Sequence, residues 1–180
     1  MNAVKEKILL LLMAGIAFGF SYDPRRQWKI FKGVAKEWRE IDRRKLYSEI
    51  KKLYQSKLIT KKKNPDGSFT FLLTDRGKLR ALTYRFQEMK IERKNWDGKW
   101  RIVVYDIPEK IKKGRDALRA KLKGLGFHEL QKSVFVFPYE CKNEIDFIIE
   151  FFNLRKYVRV GVLETIDNDL HLRKIFKINQ

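Results

Sequence analysis

The spacing of apolar positions changes period several times along this chain, and each change predicts an element. Ile8 to Phe20 is almost wholly apolar, which predicts a helix buried on most sides and ending between Gly15 and Gly19. After the polar break Ser21 to Pro24, Trp28, Phe31, Ala35 and Trp38 recur at i, i+3, i+7 and i+10, one face of a second helix. Its other face carries Arg25, Arg26, Lys29, Lys32, Lys36 and Arg39. Asp42 stands where an N-cap belongs, before a third helix that turns Leu46, Ile50 and Leu53 inward. Arg43, Arg44, Tyr47, Ser48, Lys51, Lys52 and Gln55 then face outward. Beyond it the period shortens: Leu58 to Lys63 and Ser68 to Leu73 read as two strands joined by the turn Asn64, Pro65, Asp66, Gly67. A fourth helix, capped by Thr74 or Asp75, runs from Arg76 to about Lys94.

Asn95 to Gly98 breaks the pattern and marks a domain boundary. From there, strands and helices alternate: strand Trp100 to Tyr105, helix Ile111 to Leu125 with Leu118, Leu122 and Leu125 inward, then strands Phe127 to Gln131 and Ser133 to Phe137. Helix Asn143 to Phe152, with Ile145, Ile148, Ile149 and Phe152, leads to strand Tyr157 to Leu163. The tail, Asp167 to Ile178, adds a helix or an edge strand. The fold class is therefore α+β. Residues 1–95 have the order of a winged helix-turn-helix domain, and residues 96–180 the βαββαβ order of a ferredoxin-like domain.

Composition narrows the partner. With 44% hydrophobic and 13% aromatic residues, 180 residues bury two small cores, while a net charge of +19 and a pI near 10.0 call for an acidic partner, nucleic acid foremost. Met1 to Asn95 holds 24 Lys and Arg against 10 Asp and Glu, Trp96 to Gln180 17 against 12, so phosphate contacts are expected in the first half. In winged-helix geometry the third helix enters the major groove and the hairpin lies along phosphates. The candidate contacts to double-stranded DNA are accordingly Arg43, Arg44, Lys45, Tyr47, Ser48, Lys51 and Lys52 on the helix, and Lys61, Lys62 and Lys63 on the hairpin. RNA is the alternative partner, with Tyr47 and Phe69 as stacking surfaces.

Cys141 is alone, which excludes an internal disulfide, and with His128 and His171 it cannot make a zinc finger; a reducing cytoplasm fits. Lys5, Lys7, Ala17 and Gly19 give the apolar run some signal-peptide character, but its 13 residues fall short of the roughly 20 that span a bilayer. It reads as a core helix, with no membrane partner.

Candidate chemistry centres on Asp106. The stretch W-D-G-K-W-R-I-V-V-Y-D-I-P-E delivers this carboxylate to a strand end, where Pro108 stops the ladder. A helix follows, basic with Lys110, Lys112, Lys113, Arg115 and Arg119, and then G-F-H-E-L-Q-K-S-V-F-V-F-P. This arrangement resembles the central domain of the phenylacetate-degradation repressor (PaaX) family and also the small ferredoxin-fold nuclease subunit of CRISPR adaptation. The regulator resemblance spans roughly residues 4 to 165, by element order in the first half and by W-D-G-x-W, D-I-P-E, G-F-x-x-L-Q and V-F-V-F-P in the second. The chain stops about where those regulators begin a further carboxy-terminal domain. The resemblance implies a dimeric transcriptional regulator, its second domain pairing subunits, with a small-molecule effector left unspecified. The nuclease resemblance implies instead a metal-dependent endonuclease or an adaptation-complex subunit, with Asp106 and its two-fold mate holding Mg²⁺. Glu109, Asp116 and Glu140 are candidate further oxygens for such a site, although ordinary surface charge explains them as well. As a structural residue, Asp106 is expected to bond backbone N–H groups of the Ile107 to Lys110 turn and cap the next helix. No Ser or Cys nucleophile and no phosphate-cradling Gly loop appears, and the regulator reading, without catalysis, is the one carried forward.

Overall fold

In the computed structural model, Trp38, Leu46, Ile50 and Leu53 all turn inward, into a core shared with Ile8, Leu9, Phe18, Phe71, Ala81 and Tyr84. The structure describes residues 3–15, 18–20, 36–93 and 95–178. The chain divides into two units, Met1–Glu88 and Met89–Gln180. The division falls after Glu88 rather than at Asn95.

The first unit contains α1 (Ala3–Met13), β1 (Phe18–Phe20), α2 (Lys36–Arg39), α3 (Arg43–Gln55), β2 (Ile59–Lys63), β3 (Phe69–Leu73) and α4 (Asp75–Glu88). Its strands form an antiparallel sheet in the order β1-β3-β2. The apolar run at the start is not one helix: α1 stops at Met13, Gly15 takes the left-handed conformation at φ +76, and Phe18–Phe20 pairs with Phe69–Phe71. A strand wins there because Phe18 stacks on Phe71 at 6.3 Å and meets Trp38 at 5.0 Å, contacts no local period announces. Of the second helix only its end, with buried Trp38, is described; Arg25 to Ala35 lies outside the described residues.

Asp42 caps α3, its Oδ1 accepting from the Lys45 N–H at 2.9 Å. The hairpin turn is built from side chains as well as backbone. Asn64 O accepts from Gly67 N, Asp66 Oδ1 accepts from both Ser68 N and Ser68 Oγ, and Asn64 Nδ2 donates to Ser68 Oγ and Thr70 Oγ1. Thr74 rather than Asp75 caps α4, accepting from Gly77 N at 3.1 Å. That helix ends at Glu88, six residues short of Lys94. Met89 to Lys94 has helix formers but only Met89 and Ile91 as apolar residues, and helices persist chiefly where a face is buried.

The second unit comprises β4 (Trp100–Tyr105), a 3-10 turn (Glu109–Ile111), α5 (Lys112–Leu125), β5 (His128–Gln131), β6 (Val134–Phe137), α6 (Lys142–Phe151), β7 (Val158–Leu163) and α7 (Asp169–Phe176). Its antiparallel sheet runs β5-β6-β4-β7, the order that a βαββαβ chain gives when each helix returns the chain to the same sheet. Leu118, Leu122 and Leu125 on α5, and Ile145, Ile148 and Ile149 on α6, are buried as their spacing predicts. The tail resolves as a helix. Leu172 of α7 is buried with Trp100 of β4 and Val136 of β6, and Phe176 packs partly against them.

The W-D-G-K-W lead-in is what anchors that helix. Gly98 turns the chain at φ +78, Trp96 Nε1 donates to Lys99 O at 2.9 Å, and Trp100 Nε1 donates to Asp169 at 2.8 Å. Arg173 bonds the same Asp169 at 2.7 Å while its guanidinium lies 4.7 Å from the Trp96 ring centre. Among the described residues, no helix is long and apolar enough to cross a membrane.

Candidate nucleic-acid interface

Between Arg43 and Lys63 the chain carries nine Lys and Arg against one acid, Glu49. The structure concentrates them on the exposed side of α3 and on β2. Arg43, Arg44, Lys45, Ser48, Lys51 and Lys52 are all exposed, and the spacing of Arg44, Ser48 and Lys51 lines them along one helix face. Tyr47 departs from expectation. Its ring is half-buried against the first unit's core, 6.4 Å from Phe18, with Arg43 held over it at 5.8 Å. An aromatic ring with one polar end suits the border of a core better than a fully solvated face.

Glu49 is the residue that sequence reasoning missed on this helix. It is buried, and its Oε1 draws Lys52 Nζ back to 2.7 Å, so Lys52 is tethered while Lys51 is not. On the hairpin, Lys62 and Lys63 are exposed. Lys61 is exposed too, but its ammonium sits 4.9 Å from the Phe69 ring centre and 5.5 Å from that of Tyr54 at the end of α3. The Lys61 ammonium thus lies between a hairpin ring and a ring at the end of α3.

In the second unit, Asp106 lies exposed at the end of β4, its N–H donating to Tyr157 O at 2.9 Å. It is not the cap predicted for it. The N-cap positions of the 3-10 turn and α5 are Pro108 and Ile111, neither with a side-chain cap bond, and Pro108, two residues after Asp106, has no N–H for that carboxylate to accept from. The additional oxygens are engaged by cations instead. Glu109 meets Arg115 at 2.9 Å, Asp116 lies 3.8 Å from the same Arg115, and Glu140 accepts from Arg101 at 3.1 Å. Among the described residues, no three His, Cys, Asp or Glu gather as metal ligands. On the basic face of α5, Arg119 is paired with Glu129 at 2.6 Å, and Lys123 with the same carboxylate, which holds Glu129 below its ordinary pKa. Lys110, Lys112 and Lys113 remain exposed. His128 opens β5 half-buried, edge-on to Phe176 at 6.5 Å, a packing contact.

Arg101 was not singled out by sequence, yet its side chain makes five hydrogen bonds. Buried in β4, it donates to Asp97 through two nitrogens at 2.6 and 2.7 Å, to the carbonyls of Lys99 and Pro138, and to Glu140. The Arg101 guanidinium holds the Asp97 carboxyl down at about 2. The available signal was the Asp97/Arg101 pair inside the W-D-G-K-W-R motif. Cys141, beside this cluster, has its thiol pushed up to about 12 by burial, and a thiol so raised is unreactive.

Residues 93–172 match the family model of the PaaX protein central Cas2-like domain. No curated protein matches the chain. The strand order, the D-I-P-E turn after β4 and the family match cover the same stretch, and over it the chain's second unit is similar to the PaaX central Cas2-like domain.

Proposed function

We propose that the protein is a sequence-specific, DNA-binding transcriptional regulator of the PaaX type, acting as a homodimer in the cytoplasm. The first unit is read as a winged helix: α3 enters the major groove, the β2–β3 hairpin lies on adjacent phosphates, and the second unit pairs subunits to address a two-fold operator. The observation that carries this reading is the exposed cationic face of α3, together with a lysine-bearing hairpin whose Lys61 lies between rings of both elements. The element order α1, β1, α2, α3, β2, β3 and the sheet order β1-β3-β2 support it.

The test is selection of duplexes from a random pool, followed by anisotropy titration of selected and scrambled sequences. Wild-type protein is expected to prefer the selected duplex. Arg44→Ala or Lys51→Ala is expected to erode that preference, each base contact being worth about 1 to 3 kcal/mol. Equal affinity for both duplexes would replace sequence-specific regulation by architectural binding.

A further inference from the structure

Among the described residues, β7 ends the second sheet with an edge that no strand covers, and that edge matches itself. Because Asp106 N bonds Tyr157 O, residues 157, 159, 161 and 163 turn their backbone groups toward β4, and Val158, Val160 and Val162 turn theirs outward. The Val158 carbonyl is already covered, accepting from Arg159 Nη1 at 3.0 Å. That leaves Val160 and Val162, residues that are also 40% and 56% exposed. They form one side of a groove of about 400 Å³ between the strand and α6. Long, apolar, uncharged edges are what proteins ordinarily avoid exposing.

Charge is distributed along the strand as a two-fold partner requires. Before the valines stand Arg155, Lys156 and Arg159; after them stand Glu164 and Asp167, both exposed. Arg155 is occupied by Asp146 and Glu150, and Lys156 lies 4.8 Å from the Tyr157 ring centre. Arg159 donates only to the carbonyls of Arg155, Lys156 and Val158, and Glu164 reaches no closer than 3.9 Å to Lys99. Antiparallel pairing of two copies would set the basic start of one strand beside the acidic end of the other.

We infer that two copies of the chain pair β7 to β7 about a two-fold axis at Gly161, joining their sheets into one of eight strands. In this register Val160 of each copy lies opposite the other's Val162, their free N–H and C=O groups exchange bonds, and all four exposed valines are covered on the same face. An axis at 160 would set Val162 opposite Val158, whose carbonyl is already taken by Arg159, an axis at 162 would set Val160 opposite Glu164, and an axis between residues would put side chains on the wrong face. The inference rests on the proposed pairing of subunits and names its surface. It also has a consequence for Asp106, which neighbours Tyr157: each copy's Asp106 lies four residues from the axis and at opposite ends. The two carboxylates are then roughly 27 Å apart along the strands, too far to share a metal ion.

Size-exclusion chromatography with light scattering on the full chain tests this, comparing wild type with Val160→Lys/Val162→Lys and checking both by circular dichroism. The expected result is a dimeric wild type and a folded monomeric variant, because lysine on an edge strand blocks pairing. In addition, Val160→Cys/Val162→Cys should give a covalent dimer on mild oxidation; the buried Cys141 does not compete. A dimer that survives the lysines and fails to cross-link would overturn the β7 interface while leaving subunit pairing intact. A wild type that is monomeric at tens of micromolar, and does not dimerise on a selected duplex, would overturn both.

Discussion

At the scale of single residues, Arg101 and Asp97 show how a charge is kept inside a small sheet. The guanidinium is 8% exposed and has five acceptors near it, whereas Asp97 is 47% exposed. Asp97 falls from an ordinary 3.8 to about 2. A depressed folded value means the pair's stabilisation is present above about pH 4 and is lost as pH falls through about 2. Its size is about 1 kcal/mol, below what the whole shift implies, since the carboxylate is half exposed and screened. Urea unfolding followed from about pH 5 to pH 2.5 should show this loss in wild type and a flatter profile in Asp97→Asn. Asp106 gives the opposite case. It caps nothing, so Asp106→Asn should change stability by less than about 0.5 kcal/mol, and on the regulator reading it leaves duplex affinity unchanged. Cleavage of labelled DNA or RNA that requires Mg²⁺ and vanishes in Asp106→Asn would instead make this residue catalytic. Neither Arg101 nor Glu49 was singled out in sequence, because a charged residue in an amphipathic pattern reads as solvated until its burial by residues far along the chain is known, even where its ion-pair partner stands three or four residues away. Tyr47 was misplaced for the same reason, its packing partner Phe18 lying 29 residues earlier.

At the scale of elements, legibility followed the range of the forces. The hairpin from Ile59 to Leu73, the cap at Asp42 and the inward rows of α3, α5 and α6 are fixed within a few residues, and all were readable as spacing and turn chemistry. The strand β1 was not, since Phe18–Phe20 continues an apolar run and becomes a strand only by pairing with β3. The end of α4 was not, since it reflects where packing stops. Packing of α4 against the start of β2 also reverses an ordinary propensity. Gly77 lies within the helix, where Ala would normally gain about 1 kcal/mol. A Cβ there would stand 1.9 Å from the Leu58 carbonyl oxygen, a backbone atom that cannot rotate away. Gly77→Ala should therefore destabilise by about 3 kcal/mol. Gly124 on α5 has nothing within 4 Å of an added Cβ, so Gly124→Ala should raise the melting temperature instead. Thermal unfolding of the two variants side by side separates contact from propensity.

At the scale of the whole molecule, the charge of +19 is a statement about ionic strength. Phosphates release counterions when neutralised, so the logarithm of duplex affinity should fall linearly with that of salt. If about six phosphates are met, affinity should drop about 10³-fold between about 50 and 200 mM salt. The cations do not contribute equally. Arg119 and Lys123 share the one carboxylate of Glu129, and Lys52 is paired with Glu49, so part of their charge is offset within the protein. On the proposed reading, Lys62 and Lys63 are the hairpin's exposed cations for phosphate, while Lys61 lies over the Phe69 and Tyr54 rings. Two kinds of substitution should then behave differently. Lys62→Glu/Lys63→Glu should lower the salt slope by about 2 or more, because phosphate contacts are removed while the fold is kept. Lys61→Met should keep most of the apolar packing on Phe69 and Tyr54 while losing one cation, reducing the slope by no more than about 1. A slope unchanged by Lys62→Glu/Lys63→Glu would take the hairpin out of the interface and leave α3 to bind alone.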